Sequence, residues 1–366
     1  VNLLGAHVDY HDGWVLPGAI DRSVWLAAAS RDDRRLRGYS LSLDEGGCLE
    51  LPPPGRLRAS GRLRHDWLDY VLGVAWALEY SGRTVPALDL VVGGDLPVGA
   101  GVSSSAALEM ALLYAWRALA GFELDTMEAA RLGRSVENDY LDVQSGIMDQ
   151  FASLHGREGH VMLLDCRHLE WELLELPQGV AVLIADSGVR RRLVEGGIND
   201  RRQEGTEALQ ILRGDDPDLV ALRDVPQQCL ETLETRMRAR LARRVRHVVE
   251  ECARVRRGAE LLRDGGDPAA LGALMSASHR SSRDLYEVSI DELDVLTEAA
   301  WGCAGCFGAR LSGAGFGGCV TALVDAAAVD AVAATLVDAF RRRFEREPEL
   351  LRCHIGDGAE VVDPAS

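Results

Sequence analysis

Apolar and polar residues alternate over 22–29, 37–43 and 87–93, a period of two that predicts half-buried strands. The run Pro52-Pro53-Pro54-Gly55 after them predicts a rigid connector. The period then lengthens. Leu68, Val71, Leu72, Ala75 and Leu78 recur at helical spacing, predicting a helix capped by Asp66 and running to about Tyr80. Further helices are expected over 104–120 and 126–141, and the short apolar runs Val161–Leu164 and Val180–Ala185 read as buried strands. From 201 to 265 the texture changes to long Arg/Glu-rich amphipathic helices. Gly308–Val324 then reads as strand, glycine turn and strand, and Ala327–Phe344 as a helix. Strands and helices mix without a regular βαβ beat, so the fold class expected is α+β. A domain boundary is expected near 180, giving 1–180 and a helix-rich 181–366. No repeat or low-complexity tract interrupts the pattern.

Composition narrows the function. The chain has 366 residues, of which 47% are hydrophobic, enough for a large core and two domains. A formal net charge of -17 argues against nucleic acid or an anionic membrane as partner. The sequence contains no lysine, so all 40 basic residues are arginine. That excludes a Walker A loop, a protein kinase strand lysine and Schiff-base chemistry, each of which needs the amine. No apolar run approaches the ~18 residues of a membrane span, and no signal peptide is recognised at the start. The eight scattered cysteines fit reduced thiols in a cytoplasm, with Cys303 and Cys306 read as small buried residues rather than zinc ligands. Val1-Asn2-Leu3-Leu4 reads as a strand already under way, so residues are expected to precede Val1. The arginine runs at 190–192 and 341–343 read as solvated faces.

Four segments carry chemistry. Leu96-Pro97-Val98-Gly99-Ala100-Gly101-Val102-Ser103-Ser104-Ser105 follows an apolar strand and opens a helix. Glycines let backbone N–H groups approach an anion, the helix N-terminus favours negative charge, and a serine hydroxyl can hold a divalent ion. The alternative is a serine-capped turn. The third glycine of a dinucleotide GxGxxG is absent, since Ser104 occupies its place. Ser145-Gly146-Ile147-Met148-Asp149-Gln150-Phe151 sets a carboxylate among apolar residues, as a helix cap or as a general base in a partly dry site. Upstream, Glu137 is either a metal ligand or a surface acid. Gly5-Ala6-His7-Val8-Asp9-Tyr10-His11-Asp12-Gly13 suits a turn that points polar groups at one small ligand, with a metal cluster on His7, Asp9 and His11 as the other reading. Leu311-Ser312-Gly313-Ala314-Gly315-Phe316-Gly317-Gly318-Cys319 lets a loop pack against phosphate, or lets strands pack tightly.

In this order the segments resemble the GHMP kinase superfamily, and within it the galactokinase family, over nearly the whole chain. The resemblance implies a two-domain GHMP kinase fold with the active site in the cleft between the N- and C-terminal domains. It also implies transfer of the ATP γ-phosphoryl group to the anomeric hydroxyl of a galactose-configured sugar, with Mg²⁺. By motif position, Gly99, Ala100, Gly101, Val102, Ser103, Ser104 and Ser105 would cradle the phosphates, and Trp67 would lie near the adenine. Ser105 and Glu137 would hold the metal. Asp149 would take the C1 hydroxyl proton, and Ala6, His7, Asp9, Gly146 and Ile198 would line the sugar site. No partner beyond sugar and ATP is implied, and a monomer is compatible with the sequence.

The chain departs from the family in three places. The family's arginine beside the catalytic aspartate would precede Val1. The family's glutamate before the motif histidine, which meets the C6 hydroxyl, is Ala6 here; its loss removes a charge that would repel a C6 carboxylate. The family's sugar-contacting tyrosine aligns with Ile198. Ala6 tips the expectation towards D-galacturonate ahead of D-galactose, with Arg190–Arg192 nearby in sequence. The alternatives are an ordinary galactokinase, a silent sugar sensor on the same fold, and a kinase for a non-sugar alcohol.

Overall fold

The computed structural model describes residues 1–52, 63–64, 66–190 and 197–362. Its first half runs β1 (Trp14–Val15), β2 (Val24–Arg31), β3 (Arg35–Ser40), β4 (Glu45–Glu50), α1 (Leu68–Tyr80), β5 (Ala87–Gly94), α2 (Ser104–Ala120), α3 (Thr126–Ser135) and α4 (Met148–His155). The rest runs β6 (His160–Asp165), β7 (Glu170–Glu175), β8 (Val180–Asp186), α5 (Gly197–Arg213), α6 (Leu233–Arg236), α7 (Ala239–Arg263), α8 (Pro268–Asp284), α9 (Asp291–Trp301), β9 (Cys306–Ser312), β10 (Cys319–Asp325), α10 (Val329–Phe344) and β11 (Glu349–Cys353). Elements with a strong apolar period lie where the pattern placed them. The expected 126–141 helix ends at Ser135 and widens into one π turn, Val136–Tyr140. Two residues of the expected connector, Pro53 and Pro54, and its Gly55 fall outside the described residues.

By packing, the chain divides into two units, and the division is not sequential. The first unit is Val1–Asp21, Gly99–Val102 and Arg157–Gly356; the second is Arg22–Val98, Ser103–Gly156 and Asp357–Ser366. This differs from a single cut near 180. The opening strand β1 pairs with β6, and β6 with β7, so the N-terminal motif folds among C-terminal elements.

The second unit is built on a sheet of order β2-β5-β3-β4. β3 runs parallel to β5, and the other two pairings are antiparallel. Gly38 and Gly47 face each other in β3 and β4. A side chain at Gly38 would stand 2.7 Å from the Trp67 ring, and one at Gly47 would stand 2.4 Å from Leu68, so both glycines make room for the start of α1. Val71, Val74 and Leu78 of α1, with Met110, Leu113 and Trp116 of α2, form its buried core.

In the first unit an all-antiparallel sheet of order β11-β8-β10-β9 carries α8 directly against β9. A Cβ at Gly308 would lie 1.9 Å from the Gly272 carbonyl oxygen, which only glycine at both positions permits. His279 of α8 accepts the Leu311 N–H at Nδ1 (3.1 Å), so its Nε2 carries the hydrogen and donates to Asp294 (3.1 Å). One buried imidazole thereby ties α8 to β9 and α9.

Candidate active site

In the second unit, the residues singled out around the two glycine-bearing segments converge on Glu137. This carboxyl is 9% exposed, on the π turn after α3. Its Oε1 accepts from Ser105 Oγ at 3.2 Å, and its Oε2 accepts from Ser145 Oγ and from Gln150 Nε2 (3.3 Å). Burial raises the Glu137 pKa and the nearby Asp149 charge adds to it, while the three donors oppose the rise. Gln150 also donates to Glu109 Oε2 at 3.1 Å. Glu109 is fully buried in α2, and burial together with Glu137 pushes its carboxyl far up. Asp149 is half-buried in the first turn of α4, where the helix N-terminus favours a carboxylate. Gly146 is buried just before it.

The segment leading into α2 has the backbone an anion site needs. Gly99 (φ +73°), Gly101 (φ +80°) and Ser103 (φ +63°) are left-handed at alternate positions, while Ala100 and Val102 are buried. Such alternation turns successive N–H groups to one side. Ser103, the N-cap of α2, makes no capping bond with its side chain. Ser104 and Ser105 open the helix half-buried.

In the first unit the His7–Asp9 turn is equally built. Gly5 (φ +101°) and His7 (φ +56°) are left-handed, and Asp9–His11 forms one 3-10 turn closed by Asp12 at φ +60°. His7 Nδ1 meets Tyr10 Oη at 2.7 Å, Tyr10 Oη meets Tyr286 Oη at 3.2 Å, and His11 Nε2 meets Tyr286 Oη at 3.1 Å. Burial lowers the His11 pKa to about 3, so it is neutral in this cluster. Arg223 secures the far end: it donates to the Asp12 carbonyl and to Asp165 (2.6 Å), and its guanidinium lies 3.8 Å from the Trp14 ring centroid. Ala6 is 3% exposed and Ile198 half-buried in the first turn of α5.

Three family profiles match: GHMP kinases N terminal domain over residues 69–157, GHMP kinases C terminal over 259–342, and galactokinase galactose-binding signature over 1–30. A galactokinase of Roseiflexus sp. (strain RS-1) is 39% identical across 100% of this chain and 92% of its own length. The chain belongs to the galactokinase family of GHMP kinases. Lactococcus lactis galactokinase, solved with galactose, superposes with a TM-score of 0.90 at 30% identity, covering 98% of this chain and 92% of that one. Methanococcus jannaschii mevalonate kinase shares the fold alone, with a TM-score of 0.63 at 16% identity, covering 98% and 96%.

Other expectations for this sugar 1-phosphotransferase meet the structure unevenly. Trp67 packs over Gly38 in the second unit. The 308–319 glycine turn is explained by packing: side chains at Gly315 and Gly317 would strike the Val288 and Val189 carbonyls at 2.1 and 2.6 Å. Arg190 is exposed, as expected of a solvated face, and its Nη1 also holds the buried Asp186 at 2.8 and 2.7 Å. Arg191 and Arg192 lie outside the described residues. Among the described residues no group of three or more His, Cys, Asp or Glu could hold a metal ion, which leaves the His7/Asp9/His11 cluster without support. No helix there is long and apolar enough to cross a membrane. Glu109, Gln150, His247, Glu251 and Tyr286 were assigned no role from the sequence. A glutamate inside the apolar stripe of α2 was the one visible signal.

Proposed function

We propose that this chain transfers the γ-phosphoryl group of ATP to the C1 hydroxyl of D-galactose. The observation that carries this reading is the galactose-binding signature over residues 1–30, which covers the buried, hydrogen-bonded turn bearing His7 and Asp9. In the first unit, His7 and Asp9 bind sugar hydroxyls. In the second, Asp149 takes the C1 hydroxyl proton as that oxygen bonds to the γ-phosphorus and ADP departs with the β–γ bridging oxygen. The alternating left-handed backbone of 99–103 and the α2 N-terminus supply the anion site that a lysine-free chain requires. Trp67 is assigned to the adenine. The oxygen-only donors Ser105 and Glu137 suit Mg²⁺, which takes few protein ligands when substrate phosphates supply others. When bound, that ion neutralises phosphate charge; Ser145 and Gln150 keep the Glu137 carboxylate oriented for it. The cysteines scattered along the chain support a reducing, cytoplasmic setting.

D-galacturonate is the second reading. It rests on Ala6, which contributes no carboxylate to oppose a charged C6 group; the likeness to galactokinases supports D-galactose ahead of it. Coupled-enzyme turnover of purified protein on the two sugars decides. At least about tenfold higher kcat/KM on galactose is expected, a difference of about 1.4 kcal/mol in transition-state stabilisation. A comparable preference for galacturonate would overturn the assignment.

A further inference from the structure

We propose that Glu251 and His247, buried in α7, are positioning residues that hold the Gly5–His7 backbone in the bend presenting His7 and Asp9 to the sugar. This rests on the sugar-kinase reading above. Glu251 is fully buried in the middle of a helix. A carboxylate there is costly unless its lone pairs are filled. Two of its four donors come from the turn. Oε1 accepts the Gly5 N–H at 2.8 Å, the Ala6 N–H at 3.0 Å and the Ser278 hydroxyl at 2.6 Å, and Oε2 accepts Arg254 Nε at 2.6 Å. His247 takes the other side of the same residue: its Nε2 lies 2.9 Å from the Ala6 carbonyl. A carbonyl can only accept, so Nε2 carries the hydrogen, and Nδ1 accepts the Ser281 hydroxyl at 2.8 Å. Both backbone groups of Ala6 are thus committed to side chains of one helix.

The bend needs such a grip. A non-glycine residue in the left-handed region costs on the order of 1–2 kcal/mol, and His7 sits there at φ +56°. Gly5 cannot relax inwards, because its missing Cβ would stand 2.8 Å from Val15 Cα. His247 also reaches His7 through a ring stack: its imidazole lies 4.4 Å from Tyr286, and Tyr286 lies 5.0 Å from His7, centroid to centroid. Without Glu251 two buried amides lose their acceptor, and the bend is free to flatten. The ring that meets the sugar then loses its aim.

The test is steady-state kinetics of Glu251→Gln, His247→Ala, His247→Gln and Ser278→Ala, with galactose binding measured by calorimetry in the absence of ATP. Glu251→Gln keeps the shape but turns an amide N–H towards donors. Expected are a rise of about 10- to 100-fold in galactose KM and Kd, an ATP KM within about threefold of wild type, and a smaller loss in kcat. His247→Gln, which keeps a donor, should recover part of what His247→Ala loses, and Ser278→Ala should raise galactose KM about two- to fivefold. Equal rises in both KM values, or an unchanged galactose KM in a folded variant, overturn the proposal. If Glu251→Gln does not fold, unchanged sugar affinity in both Ser278→Ala and His247→Ala overturns it instead. Wild type that phosphorylates a different hexose refutes the galactose assignment alone, and the same ratios are then read on that hexose.

Discussion

Replacing Glu109 by Gln should stabilise the protein, and by an amount that grows as pH rises. Glu109 is fully buried, and its Oε2 accepts from Gln150 Nε2 at 3.1 Å while Oε1 has no hydrogen-bond partner. The site is crowded: a Cβ at Gly133 would lie 2.5 Å from Met110 Cε and 3.1 Å from Glu109 Oε2. Burial, then the charge of Glu137, pushes the carboxyl well above its ordinary 4.5. Folding must therefore take up a proton at Glu109 whenever the unfolded chain has already lost it. The folded state binds more protons than the unfolded one above pH 4.5, so this group's contribution is fully present below that pH and is lost as pH climbs towards the folded value. The loss runs at about 1.4 kcal/mol per pH unit. Glutamine keeps an acceptor oxygen for Gln150 and carries no proton to lose. Urea unfolding without nucleotide at pH values from about 5.5 to about 7 should show the variant gaining on wild type as pH rises, by up to about 1.4 kcal/mol per pH unit while folded Glu109 keeps its proton. Parallel stability curves would refute the argument, because they would mean that Glu109 folds already ionised.

Two further outcomes test the site. Asp149→Asn should lower kcat by roughly 10²- to 10⁴-fold with both KM values within a few-fold, because the amide cannot take the hydroxyl proton; rapid-quench measurement of a single turnover reads this directly, and retained chemistry would remove Asp149 as the base. Ala6→Glu should move the galactose-to-galacturonate ratio of kcat/KM towards galactose by about tenfold or more, since a new carboxylate repels a C6 carboxylate in a shielded site. An unmoved ratio would detach Ala6 from sugar choice.

What the sequence showed was the part governed by local periodicity and short motifs. The helix over 104–120 is found at Ser104–Ala120, because Ala106, Met110 and Leu113 set a clear helical stripe closed by Gly121 at φ +70°. β4, β7 and β11 went unread, being short strands whose exposed positions dilute the alternation. The unit division was also hidden, since it depends on β1 pairing with β6 across about 150 residues, which no window detects. The candidate site divides the same way. Ser105, Glu137 and Asp149 sat in or beside recognisable motifs, whereas Glu251 and His247 look like any acid and imidazole on a long charged helix until the bend they serve is seen.

The buried carboxyls can be sorted by the donors each receives. Glu251 has two amides, a hydroxyl and a guanidinium, and although burial opposes ionisation, Arg254 and its other neighbours hold its pKa down to about 2. Its stabilising contribution is therefore present above about pH 4.5 and lost only as pH falls towards 2. Glu109 has one amide and is driven far the other way. Glu137 stands between them, with two hydroxyls and one amide that only partly offset its burial. Glu251 already meets four donors, one of them a guanidinium, whereas burial of Glu109 disfavours the charge that a cation would need. On the function proposed above, Glu137, whose three donors only partly offset its burial, is the acid that a divalent ion carried in on a triphosphate would stabilise. Among the described residues an arginine pairs with Glu251 and none hydrogen-bonds Glu137, and on the proposed function a permanent cation there would compete with the metal ion.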